Sequence, residues 1–172
     1  MKPLLVLCLG NEILSDDSFG FHLSESLKRF ASELSKFVDI IFAPLAGFSL
    51  IDFLAERQKV LIVDTIITGE APAGTVHFFP MGDLTPSHNL TTSHEISLPT
   101  ALKLAEMMGM TAPEEIDILA VEAQDIRTLS EEMTEPIMAA MPAAIEYVTR
   151  WIIIRSQEIL SNGERNKKNA AC

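Results

Sequence analysis

The pattern of hydrophobic and polar residues along this chain predicts strands that alternate with helices. Continuous apolar runs are typical of strands buried on both faces of a parallel sheet, and they fall at 4–9, 38–42, 59–67, 75–79 and 116–121. Apolar residues at three- and four-residue steps predict amphipathic helices at about 17–35, 49–56, 97–108 and 134–160. Because this alternation implies right-handed crossovers, we expect an α/β fold with a mostly parallel sheet and helices on both faces.

The order of the strands also follows from this pattern. In the commonest small doubly wound order, the first strand lies between the second and the third, so the switch point falls between the strands ending near Asn11 and Asp64. The 75–79 run follows a turn at 69–74 and is expected to return antiparallel beside the third strand. Pro142 is expected to kink the last helix.

Length and composition indicate one domain. The 172 residues and 48% hydrophobic content suit a single core, which we assign to residues 1–160. The polar segment 161–172 lacks apolar periodicity and is predicted to be disordered. The two cysteines, Cys8 in the first predicted strand and Cys172, indicate one buried and one loose thiol, not a disulfide or a thiolate metal site.

The chain is acidic, with a formal net charge of −11. Residues 1–160 contain 10 basic and 23 acidic residues, which gives them a formal net charge of −13. Such a surface disfavours nucleic acid and anionic membranes as partners. No apolar stretch reaches the roughly 18 residues of a membrane span, and the short apolar start runs into a glycine turn, unlike a signal peptide. We therefore expect a cytoplasmic protein.

Two adjacent carboxylates, Asp16 and Asp17, follow the first predicted strand. They lie at its carboxyl end, where open α/β sheets bind their ligands. Only Gly10 and Gly20 occur where a dinucleotide-binding loop needs three close glycines, and two acids at a helix start oppose a phosphate. The pair therefore favours a cation. The alternative is that Ser15, Asp16 or Asp17 caps the helix.

Two further residues complete a candidate metal site. Asp64 interrupts the most strongly apolar strand, and because a buried unpaired carboxylate is costly, it either bonds loop amides or faces a cation. His94 ends a long polar loop, where a solvated histidine is the alternative. Asp17, Asp64 and His94 would leave a divalent ion with open positions, and nickel or zinc suits this set better than magnesium or calcium. We take His22 and His77 as structural.

The sequence does not complete the motifs of several other classes of hydrolase. His94 and Glu95 begin the H-E-x-x-H motif of zinc proteases, but Leu98 occupies the position of the second histidine. Asp64-Thr65 begins like an aspartic-protease loop, but Ile66 replaces the required glycine. The chain also lacks a G-x-S-x-G nucleophile elbow.

The segment LCLGNEILSDDSFG resembles the opening G-N-x-L-x-x-D-D/E-x-x-G signature of the nickel–iron hydrogenase maturation endopeptidases. The resemblance extends to VDTI around Asp64, to APAGTV at 71–76 and to Ser93-His94, so it covers the chain to about Tyr147. The 43–47 loop keeps only the glycine of the family pattern, and the segment 121–123 lacks its proline. These departures concern the particular hydrogenase more than the chemistry.

The resemblance implies an endopeptidase with a twisted five-stranded sheet that removes a C-terminal extension from the hydrogenase large-subunit precursor after nickel insertion. Asp17, Asp64 and His94 match the metal-binding positions of the family and are the implied catalytic residues. The substrate would supply the nickel, zinc or cadmium could replace it, and the protein is expected to be a monomer. Two rival hypotheses are a non-catalytic nickel-binding accessory protein and a peptidyl-tRNA hydrolase-like enzyme, whose RNA partner the acidic charge disfavours.

Overall fold

The computed structural model describes residues 2–30, 36–44, 50–83 and 98–169. Its strands and helices are, in chain order, β1 (Leu4–Leu9), α1 (Phe19–Phe30), β2 (Val38–Ala43), α2 (Ile51–Leu54), β3 (Lys59–Ile66), β4 (Val76–Pro80), α3 (Leu98–Met107), β5 (Glu115–Glu122) and α4 (Glu135–Asn169). Short 3-10 turns precede α1 at Ser15–Ser18 and follow β4 at Met81–Asp83. The predicted alternation of strands and helices is confirmed.

The five strands form one sheet in the order β2-β1-β3-β5-β4. β1 pairs in parallel with β2 and β3, β3 pairs in parallel with β5, and β4 pairs antiparallel with β5. The first strand therefore lies between the second and the third, as predicted. The predicted mostly parallel α/β sheet of five strands is confirmed as well.

The predicted place of β4 beside β3 is wrong. β4 pairs instead with β5, with Val76 opposite Val121 and Pro80 opposite Asp117. β5 is buried from Ile116 onward and so needs a strand on each side, whereas β4 is partly exposed and ends in a proline. Partial exposure and a terminal proline suit the edge of a sheet.

Helices cover both faces of the sheet, because successive side chains of a strand point to opposite faces. The even-numbered residues of β1 pack with Phe19 and Leu23 of α1 and with Ile137 of α4. Its odd-numbered residues pack with Leu54 of α2 and Leu102 of α3. The predicted three-layer arrangement, with helices on both faces, is confirmed. Cys8 is one of the buried residues, and burial raises the pKa of its thiol to about 12, so the thiol stays neutral.

α4 extends further than predicted. It continues to Asn169, so the predicted helix end near Leu160 is wrong and residues 161–169 are helical. Extending an existing helix adds one hydrogen bond per residue without the cost of nucleation, so the extension needs no apolar stripe of its own. Pro142 lies within this helix.

Residues 135–162 of α4 are long and apolar enough to cross a membrane when length and composition are the only criteria. Core helices of soluble proteins meet the same criteria. Here one side of α4 packs into the core that β1 and α1 also form, through Ile137, Ala144, Val148 and Ile152. This is the burial expected of a helix that covers a sheet.

A polar cluster fixes α4 to the amino-terminal end of the sheet. Trp151 donates its Nε1–H to Asp117 Oδ2 at 2.6 Å, and Arg155 Nη2 lies 3.1 Å from the same oxygen. Arg155 also pairs with Glu115, which pairs in turn with Lys59. Because strand-end ligands bind at the opposite, carboxyl end, this cluster is structural.

Candidate functional site

Asp17 and Asp64 lie together at the carboxyl ends of β1 and β3, as predicted. The 3-10 turn that follows β1 carries Asp17, and β3 is the neighbour of β1 in the sheet. Both carboxylates are shielded from solvent, with Asp17 2% and Asp64 8% exposed. The switch point of the sheet therefore holds a buried acid pair.

Thr65 contacts both acids. Its hydroxyl donates to Asp17 Oδ1 at 3.1 Å, and its backbone N–H donates to Asp64 Oδ1 at 2.8 Å. None of the sequence motifs indicates this role. A hydroxyl residue directly after a strand-end acid was the signal that could have indicated it.

The electrostatics of the pair favour a positive charge. Burial raises the pKa of Asp64 from its ordinary value of 3.8 to about 7, the Thr65 amide opposes that rise, and the charge of Asp17 adds to it. A proton therefore binds to Asp64 near neutral pH. A divalent cation that replaced this proton would offset both the burial and the repulsion, so two buried carboxylates fit such an ion.

Asp64→Asn is expected to stabilise the protein at pH 8 by roughly 4 kcal/mol and to leave its stability unchanged near pH 4. The pKa of Asp64 is about 7 in the folded state against 3.8 for an ordinary aspartate. Its contribution to stability is therefore complete below about pH 4 and is lost as the pH rises through 7. Asparagine stays neutral throughout, and thermal unfolding between pH 4 and 8 measures the difference.

The exposed Asp52, on α2, provides the control for this comparison. Asp52→Asn should change the melting temperature little at either pH, because an exposed surface substitution alters stability only slightly. An equal gain for Asp64→Asn at pH 4 and pH 8 would contradict the raised pKa, since the gain must come from the ionised form.

Asp16, the other acid of the opening pair, has a different role. It is fully buried. Its Oδ2 accepts hydrogen bonds from the backbone N–H groups of Gln124 and Asp125, both at 2.8 Å, and from Thr134 Oγ1 at 3.1 Å. Its Oδ1 accepts from the Thr134 N–H at 2.7 Å. All these partners belong to the segment between β5 and α4, so Asp16 fixes that segment and does not cap α1.

The segment 123–134 therefore packs against the 3-10 turn that carries Asp17. Ser15 N–H donates to the Ser130 carbonyl at 2.8 Å, and Asp16 N–H donates to the Asp125 carbonyl at 2.9 Å. These contacts join parts of the chain more than 100 residues apart. Asp16 thus holds the turn in place, while the neighbouring Asp17 side chain reaches β3.

Glycine is required at two positions of the opening motif for steric reasons. A Cβ at Gly10, whose φ is +138°, would lie 2.1 Å from the Asp17 carbonyl oxygen, and a Cβ at Gly20 would lie 2.1 Å from the Leu9 carbonyl oxygen. The turn and the start of α1 therefore pack directly on the end of β1. This close backbone approach brings Asp17 to the strand ends.

Glu122 closes the other side of the strand ends. Glu122 is only 2% exposed. Its Oε1 accepts hydrogen bonds from the backbone N–H groups of Thr68 and Gly69, at 2.8 and 2.9 Å. Its Oε2 also accepts the Thr68 hydroxyl at 2.8 Å. The segment that lacks the family's proline thus has a carboxylate that fixes the turn after β3.

His94, the third predicted ligand, lies outside the described residues. Within the residues that the structure describes, no group of three or more histidine, cysteine or acidic side chains is arranged to hold a metal ion. α3, which begins four residues after His94, packs on the sheet face to which Asp64 points. His77 lies on β4, which β5 separates from β3, so it belongs to a different part of the sheet.

Comparisons with known proteins agree on one family. The family model described as hydrogenase maturation protease matches residues 21–151. The hydrogenase expression/formation protein HupD of Rhizobium leguminosarum bv. viciae is 28% identical over 156 residues, which cover 89% of this chain and 74% of HupD. The hydrogenase 2 maturation protease of Escherichia coli is 24% identical over 149 residues, which cover 83% of this chain and 90% of that protein.

Solved structures show the same fold. The maturating endopeptidase HybD of Escherichia coli superimposes with a TM-score of 0.67 at 22% identity, covering 86% of this chain and 90% of HybD. The NiFe hydrogenase maturation protease HybD of Thermococcus kodakarensis gives a TM-score of 0.69 at 21% identity, covering 88% and 99%.

Fold and site together define an α/β protein with a buried acid pair at the switch point of its sheet. The chain belongs to the hydrogenase maturation protease family, because that family's model matches about three quarters of it. The predicted family is therefore confirmed, and the peptidyl-tRNA hydrolase alternative is wrong. The family match begins at residue 21 and therefore includes Asp64 but not Asp17.

Proposed function

We propose that this protein is a cytoplasmic endopeptidase that removes the C-terminal extension of the nickel–iron hydrogenase large-subunit precursor after nickel insertion. Asp17, Asp64 and His94 would bind the nickel that the precursor carries. The observation that carries this proposal is the buried Asp17 and Asp64 pair, joined through Thr65 at the sheet's switch point. The names of the relatives, a hydrogenase expression/formation protein and a hydrogenase 2 maturation protease, support the choice of substrate.

The acid pair gives a physical reason for selecting a nickel-loaded precursor. Without a cation, Asp64 retains a proton near neutral pH because it is buried beside Asp17. A divalent ion brought by the substrate displaces that proton and neutralises the repulsion between the carboxylates. A precursor that lacks nickel offers no such compensation and would bind more weakly. The same reasoning allows zinc or cadmium to replace nickel, since both accept carboxylate and imidazole ligands.

Once the ion is bound, Asp64 would act as a ligand without its proton, and the ion would polarise the attacking water or the scissile carbonyl group. The formal charge of −13 outside residues 161–172 favours a protein partner over a nucleic acid.

We expect the purified protein to shorten a nickel-loaded precursor and to leave the nickel-free precursor intact. Intact-mass spectrometry of the precursor before and after incubation measures the loss of the extension. His94→Ala should lower the cleavage rate by at least about 100-fold, because a ligand to the substrate's ion is lost. His22→Ala is the matched control, since His22 lies on α1 and takes no part in the proposed site.

Three results would contradict parts of this proposal. Cleavage of both precursor forms at the same rate would exclude recognition through nickel. Cleavage by His94→Ala at the parental rate would remove His94 from the site. Binding of the loaded precursor without any change of mass would favour the non-catalytic accessory protein.

A further inference from the structure

We propose that Thr65 is a positioning residue that holds Asp17 and Asp64 together as one receptor for a divalent cation. The inference rests on the proposed function, because it assigns the pair to the substrate's ion. It adds a residue to which neither the sequence motif nor the family comparison gives a role. Thr65 itself would not need to touch the ion or the scissile bond.

The two acids reach the site from different directions. In β3, Leu61 and Val63 belong to the core beneath α1 and α4, whereas Val60 and Ile62 belong to the core beneath α2 and α3. Because side chains alternate along a strand, Asp64 points to the α2 and α3 face, while the next side chain points to the opposite face. Asp17 comes from the turn before α1, which lies on that opposite face.

Thr65 connects the two faces. Its side chain extends toward α1 and donates to Asp17 Oδ1 at 3.1 Å, and its backbone N–H turns toward Asp64 Oδ1 at 2.8 Å. Thr65 is 5% exposed, so water competes little for its hydroxyl. One residue thus fixes an oxygen of each carboxylate at the same time.

Fixing both carboxylates before an ion arrives should strengthen binding. A carboxylate that is free to rotate must be ordered when a cation binds, and that ordering opposes binding. Hydrogen-bond partners that orient metal ligands typically change metal affinity or activity by roughly 10–100-fold when they are removed. The Thr65 hydroxyl is such a hydrogen-bond partner, because it orients the carboxylate of Asp17.

The test compares Thr65→Val with Thr65→Ser. Valine keeps the branched shape that suits a strand but removes the hydroxyl, whereas serine keeps the donor. Thr68→Val is the matched control. Thr68 also donates its hydroxyl to a buried carboxylate, but the acceptor is Glu122 Oε2, at 2.8 Å, and not Asp17.

Calorimetry with Ni²⁺ should show roughly 10–100-fold weaker binding to Thr65→Val. Thr65→Ser and Thr68→Val should stay within about threefold of the parent, since both keep a hydroxyl on Asp17. The kcat/KM for nickel-loaded precursor should fall in parallel for Thr65→Val. Carboxyl-carbon NMR should show a displaced Asp17 resonance in Thr65→Val and an unchanged one in Thr68→Val.

Parental nickel affinity in Thr65→Val would overturn this inference, and so would an Asp17 resonance that stays in place. Equal losses in Thr65→Val and Thr68→Val would also overturn it, because they would indicate a general effect on the strand ends. If the parent neither binds nickel nor cleaves precursor, the proposed function fails. The NMR comparison would then still decide whether Thr65 holds the Asp17 carboxylate.

Discussion

Asp17→Asn is expected to lower the rate of cleavage of nickel-loaded precursor by at least about 100-fold. The variant should remain folded. Asparagine has nearly the size of aspartate and retains an oxygen that can accept the Thr65 hydroxyl. It lacks the negative charge that would hold the ion. Cleavage rates from intact mass, together with a melting curve, separate the loss of activity from any loss of fold.

The melting curve makes this expectation specific. The charge of Asp17 contributes to the raised pKa of Asp64, so removing it relieves repulsion and should leave stability unchanged or slightly higher. Asp52→Asn, an exposed acid on α2, should retain the parental cleavage rate. A folded Asp17→Asn variant that still cleaves at near the parental rate would show that Asp17 has only a structural role.

Gly10→Ala is expected to destabilise the protein by about 3–5 kcal/mol. Because a domain is typically stable by only about 5–15 kcal/mol, much of the variant should be unfolded at 37 °C. The added Cβ would lie 2.1 Å from the Asp17 carbonyl oxygen, and the φ of +138° is itself strained for alanine. Neither the strand end nor the turn can move away easily, because Asp16 and the 123–134 segment hold the turn. Chemical denaturation followed by circular dichroism measures the loss.

Gly109→Ala separates the two causes of this loss. Gly109 also has a positive φ, of +76°, but a Cβ there would meet no atom within 4 Å. Its substitution should therefore cost only the backbone strain, roughly 1 kcal/mol. Similar losses at both positions would show that the close approach to Asp17 matters little.

The sequence predicted the part of this protein that depends on local pattern. A fully apolar β1 indicates a central strand, and the carboxyl ends of neighbouring parallel strands must meet at one edge. The convergence of Asp17 and Asp64 followed from that geometry alone. Their role as ligands, and that of His94, stays a prediction from the chemistry of these side chains and from the family resemblance.

The remaining features depend on contacts that no local pattern reveals. The partner of β4 was predicted incorrectly because burial of β5 on both sides decides it, and β5 lies 35 residues or more downstream of β4. The role of Asp16 depends on amides from Gln124 to Thr134, more than 100 residues away. Thr65 was passed over because a threonine in a strand is ordinarily read as a β-branched strand former.

The cluster around Trp151 has a practical consequence for all of these measurements. Trp151 is the sole tryptophan of the chain and is 5% exposed, with its indole bonded to Asp117 at the end of the sheet remote from the acid pair. Its fluorescence emission should shift when the core opens and should be insensitive to an ion between Asp17 and Asp64. The chain therefore contains an intrinsic optical reporter of folding that is independent of its site. A variant with native emission and no cleavage has lost chemistry and not structure.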